Sequence, residues 1–120
     1  MMAFTETERK KYEHLVANLI ESRRRQATEN GFDLSYIFDN QSIELFEIHP
    51  STHNEQGFFH SSVAKITFIR TTHIWKISWM RGSLKWQVYR INSKVNKLSE
   101  ALFIVNEDQD GCFWKLSSAT

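Results

Sequence analysis

Apolar residues near the start of the chain recur at helical spacing, and from Phe32 onward the repeat shortens to two. Tyr12, Leu15, Val16, Leu19 and Ile20 fall at i, i+3, i+4, i+7 and i+8, which is one face of a helix. Ahead of them, Thr5-Glu6-Thr7-Glu8 has the form of a capping box, in which a threonine hydroxyl and a glutamate carboxylate each satisfy a free backbone N–H. Glu6 and Glu8 suit the positive end of the helix dipole and Arg23, Arg24 and Arg25 the negative end. The pattern predicts a helix over Glu6–Gln26, stopped at Asn30-Gly31.

Beyond the stop, Leu34, Tyr36 and Phe38 alternate as in a strand, and Asp39-Asn40-Gln41 is turn-prone. Further strands are predicted over Ser42–His49, Ser62–Arg70, His73–Met80 and Lys85–Ile91. Pro50 stops the second, and Ser51–Ser61 is the one long loop. The short joints at Thr71-Thr72 and Arg81-Gly82-Ser83 imply antiparallel neighbours. Leu98, Ala101, Leu102 and Val105 then mark a second helix, with Asn96 as its predicted cap and Cys112-Phe113-Trp114 as an apolar plug behind it. The expected fold is α+β and one domain: an N-terminal helix, a five-stranded mainly antiparallel meander, and a C-terminal helix packed on one sheet face.

Composition adds little to that frame, except for its arrangement. At 120 residues the chain fits one domain, and 13% aromatic content favours a sheet-rich core. The single cysteine, Cys112, permits no intramolecular disulfide, so a reducing, cytoplasmic setting is expected. No apolar run approaches the roughly 20 residues of a membrane span, and no membrane partner is expected. The net charge of +1 hides two blocks. Gln26–Ala64 carries six carboxylates and no Lys or Arg, whereas Lys65–Lys97 carries eight cations and no Asp or Glu.

Strand alternation assigns faces to those charges. Trp75, Ile77 and Trp79 point one way, as do Ala64, Ile66 and Phe68, and Trp86 and Val88 are placed with them against the helices. Lys65, Lys76, Lys85 and Tyr89 then share the open face with Thr67, Ser78 and Gln87, and Arg70, Arg81 and Arg90 lie near strand ends. Lys65, Lys76, Arg81, Lys85 and Tyr89 are the candidate anion-binding set. The plainer alternative is that the acidic early strands lie beside the basic ones and neutralise them by cross-strand pairs.

Catalytic signals are thin. His49, His53 and His60 surround the long loop with Glu47 and Glu55 near, but their spacing matches no metal motif. Glu44 and Glu47, three apart on one strand, face opposite sides and cannot work as an acid/base pair. Glu47 instead suits an inward structural ion pair, with a buried arginine or, across the sheet, Arg81 or Lys85. There is no Gly-rich phosphate loop, nucleophile elbow or CxxC, and no catalytic residue, metal or cofactor is assigned.

Several ordered segments carry a resemblance. Ser42-Ile43-Glu44-Leu45-Phe46-Glu47-Ile48-His49-Pro50, Val63-Ala64-Lys65, Trp75-Lys76-Ile77-Ser78-Trp79-Met80-Arg81, Leu84-Lys85-Trp86 and Asp110-Gly111-Cys112-Phe113-Trp114 resemble a bacterial family of small proteins, domain of unknown function 3024. His49 stands where that family usually has Arg, and Ser83 where it usually has Asp. The resemblance implies no catalytic residue, cofactor or substrate. Three functions stay open: a binding module meeting nucleic acid or an acidic protein surface; a homodimer built on Ile74, Met80, Val63 and Ile69; and, least favoured, a small metal-dependent hydrolase using Glu44 or Glu47 with a loop histidine.

Overall fold

The computed structural model describes residues 3–91 and 93–114. Helix α1 spans Glu6–Glu29, followed by β1 (Asp33–Asp39), β2 (Ser42–Pro50), β3 (Phe58–Ile69), β4 (Ile74–Met80), β5 (Trp86–Val88), β6 (Lys94–Val95) and α2 (Leu98–Glu107). The first five strands form an antiparallel meander in chain order, and β6 pairs with β4 beside β5. Both helices contribute to a core on one sheet face. Val16 and Ile20 of α1 and Ala101 and Val105 of α2 are buried with Ile43, Leu45, Ile66 and Ile77. Fully burying each large aliphatic side chain contributes about 1.5–3 kcal/mol.

The predicted capping box starts α1. Thr5 N–H donates to Glu8 Oε1 at 2.9 Å, and Glu8 N–H donates to Thr5 Oγ1 at 3.1 Å. The helix runs one turn beyond Gln26, so the three arginines sit before its last turn. Arg70, at the end of β3, clamps the Glu8 carboxylate with contacts of 2.7 and 3.2 Å. These hydrogen bonds, with that from Thr5, hold Glu8 well below its ordinary 4.5, at about 2. A lowered carboxylate pKa stabilises the fold above about 4.5, and the contribution is lost as pH falls through about 2. Thermal melts from pH 6 to pH 2 are therefore expected to fall less steeply for Glu8→Gln than for the wild type; parallel curves would remove Glu8 as the titrating group.

Three boundaries differ from expectation. The long loop shrinks to residues 51–57 because β3 begins at Phe58 and pairs across to Pro50. The fifth strand is three residues long, and the edge resumes as β6 after a short excursion. Lys97, not Asn96, occupies the N-cap of α2 and makes no side-chain cap bond. The terminal plug is irregular in backbone, and its Phe113 and Trp114 are each 1% exposed.

Two departures change what faces where. Leu45 pairs with Ala64 but Phe46 pairs with Ser62, so Val63 is an extra residue at a β-bulge. Val63 and Ala64 are both buried as a result, which removes Val63 from the open face. In β5 the phase is opposite to that predicted. Arg81 N–H donates to Lys85 O at 3.0 Å and closes a three-residue loop in which Leu84 has φ 64°. That loop length sets Gln87 across from Trp79 and Trp86 across from Met80. Trp86 and Val88 consequently lie on the open face, and Gln87 and Tyr89 on the helix face.

Candidate functional site

The registers arrange the open face into two rows that each cross five strands. One row reads Asp39, Ser42, Thr67, Lys76, Lys94; the next reads Ile37, Glu44, Lys65, Ser78, Val88. Carboxylates occupy β1 and β2, and ammonium groups β3, β4 and β6. The charge blocks of the chain thus become the two halves of one surface. Lys76 and Lys94 are directly opposed, an arrangement that destabilises a bare sheet. Thr67 and Ser42 hydroxyls, 2.8 Å apart, lie next in that row. Glu44 is directly across from Lys65, but its carboxylate accepts from Ser62 Oγ at 3.0 Å, while Lys65 Nζ lies 5.8 Å from the centre of the Trp86 ring. Neutralisation between the halves is therefore incomplete within one copy.

The structure divides the five candidate residues. Lys65 and Lys76 share the open face, as alternation implies. Lys85 lies in the β4–β5 turn. Tyr89 is 3% exposed and packs on Phe113 with ring centres 4.9 Å apart, so it cannot belong to an open-face set. Burial raises its phenol pKa first, and Asp110 adds to the shift. Arg81 and Tyr89 instead line a cleft of about 570 Å³ with Trp79, Gln87, Arg90 and Asp110. Lys94, absent from the predicted set, completes the cationic half. Its strand is two residues long and carries no alternation to read.

On the helix face, Leu45, Glu47 and His49 follow one another at strand spacing. Glu47 is 1% exposed, and the His49 imidazole Nε2 lies 2.8 Å from its Oε1. Phe32 and Phe59 stack on the two sides of that ring at 4.5 and 5.4 Å. Glu47 Oε2 has no hydrogen-bond partner among the described residues. Glu47 thus pairs with His49, not with Arg81 or Lys85. Arg23 lies over the Trp114 ring at 4.1 Å and donates to Asn106 Oδ1 at 2.9 Å; burial lowers its pKa, opposed by Asp108 and Glu47. His60 stacks on Phe46 of the open face, away from His49. Among the described residues no three His, Cys, Asp or Glu side chains gather where they could hold a metal ion. No helix among them is long and apolar enough to cross a membrane.

The family model described as Domain of unknown function (DUF3024) matches residues 4–115, nearly the whole chain. The chain belongs to that family. Neither the curated proteins nor the solved structures compared with it include a match. DUF3024 membership brings no assigned chemistry, so function must be argued from the open face and the buried pair themselves.

Proposed function

We propose that this DUF3024 chain is a non-enzymatic binding module whose open sheet face docks an acidic protein surface. The observation that carries the reading is the direct opposition of Lys76 and Lys94, with Lys65 one strand and one row away. An anionic group placed over that cluster would relieve like-charge repulsion that nothing on β3–β6 offsets. Exposed Val88 and half-buried Trp86 beside the lysines suit a protein partner, which buries apolar surface, better than a phosphate backbone. Asp39 and Glu44 on the same face would also repel a polyanion crossing the whole sheet.

The test is fluorescence anisotropy with a labelled oligoglutamate peptide at low salt. Lys65→Gln/Lys76→Gln/Lys94→Gln is expected to weaken binding about tenfold or more, equivalent to about 1.4 kcal/mol. A control of equal charge, Lys10→Gln/Lys11→Gln/Arg25→Gln, alters exposed cations on α1 and is expected to bind as wild type. Equal losses in the two triples would reduce the effect to net charge and end the reading. Tighter, steeply salt-dependent binding to single-stranded DNA or RNA would make nucleic acid the partner instead.

A further inference from the structure

We infer that the acidic surface docked by the cationic half is the acidic half of a second copy, which makes the open face a self-complementary dimer interface. The inference rests on the binding-module reading above and names its partner. Its support is that the two rows match when the sheet is turned onto itself. A two-fold axis parallel to the strands, passing over β3, keeps each residue in its row and exchanges the two edges of the sheet. The first row then sets Asp39 of one copy against Lys94 of the other and Ser42 against Lys76. The second sets Ile37 against Val88, Glu44 over Ser78, which is only 7% exposed, and Lys65 against Lys65.

At the edges, charge meets opposite charge in the first row and apolar meets apolar in the second. Ile37 is 54% exposed and Val88 39%, so their pairing removes apolar surface that a lone copy leaves in water. Lys65 lies near the axis, but its ammonium group reaches over Trp86 toward β5 and so away from its counterpart. The other in-plane axis, perpendicular to the strands, would stack β1 on β1 and carboxylates on carboxylates, so the charge pattern selects between the two geometries. At about 4.8 Å between strands and 3.3 Å per residue, the face measures roughly 550 Å² per copy. The roughly 1,100 Å² total lies at the lower end for a specific interface, where weak, reversible association on the order of micromolar is expected.

Sedimentation velocity over about 5–500 μM at low salt tests this. A concentration-dependent monomer–dimer equilibrium is expected, weakening as salt screens the edge pairs. Asp39→Lys and Lys94→Asp, both at exposed positions, should each weaken the dimer about tenfold or more. The double variant, with the charges exchanged, should recover most of the loss. Ile37→Glu supplies an independent disruption, and circular dichroism checks that each variant is folded. A wild-type chain that stays monomeric throughout, or a dimer indifferent to all three substitutions, overturns the inference. If that monomer still binds oligoglutamate through Lys65, Lys76 and Lys94, the binding-module reading survives without it; if it does not, both fall.

Discussion

His49→Phe is expected to destabilise the chain by about 3–5 kcal/mol, although it replaces one flat ring by another. Phenylalanine keeps the stacking against Phe32 and Phe59 but removes the one hydrogen-bond partner that a carboxylate 1% exposed has among the described residues. Glu47 Oε2 already lacks a partner among the described residues, so the variant leaves both oxygens of a buried group unpaired by them. An unpaired charge in the interior costs far more than the net worth of the pair it came from. Glu47→Leu/His49→Phe removes both polar groups and is expected to return to within about 1 kcal/mol of wild type. Urea titration of the two singles and the double closes the cycle. A His49→Phe chain within about 1 kcal/mol of wild type would mean that Glu47 is not held by this pair.

That pair was legible in part. Alternation places Leu45, Glu47 and His49 on one side of β2, which fixes Glu47 as inward and opposite in sense to Glu44. A buried carboxylate points to a cation as its partner, whereas the nearest same-face neighbour in the chain is the His49 imidazole. Helix α1 was readable because its signals are local: a capping box and an apolar stripe need no knowledge of what packs on them. The strands of the meander were readable for the same reason.

The facing of β5 was not, because hydrophobicity and loop geometry disagree there. An indole at Trp86 looks like core, yet a three-residue loop with Leu84 in the left-handed region puts Gln87 on the helix face. Turn geometry sets register, and register sets the face of every following side chain. Tyr89 went the same way, into the core against Phe113. Val63 was misplaced by a bulge, one residue that shifts the phase of β3 with no Gly or Pro to announce it. Lys94 and β6 depend wholly on the exposed edge of β4 being there to pair with. Alternation therefore places Lys65 and Lys76, which lie in regular strands, and fails for Lys85 and Tyr89, which follow the loop.

Trp114→Ala is expected to cost about 3–5 kcal/mol and to lower the melting temperature by about 10–20 °C. The reason is where the side chain sits. Helix α2 has ten residues, too few to be stable by itself, and no side chain caps its first turn. Its stability must come from packing and from its C-terminal end. There Asp108, in the left-handed conformation, accepts from the backbone N–H groups of Phe113 and Trp114 at 3.1 and 3.0 Å. The chain turns back, and the Trp114 indole N–H donates to the Val105 carbonyl at 2.9 Å, one of the helix-end acceptors without an intrahelical donor. Arg23 of α1 covers the same ring. One side chain therefore joins both helices where they meet over the sheet. Trp114→Phe keeps much of the apolar volume but leaves the Val105 carbonyl unpaired, and about 1–3 kcal/mol should follow. Phe103→Ala, on the exposed side of α2 at 63%, should change stability by no more than about 0.5 kcal/mol. Chemical denaturation of the three variants ranks them; a Trp114→Ala chain no less stable than Phe103→Ala would show that α2 is held by its stripe of Leu98, Ala101, Leu102 and Val105 alone.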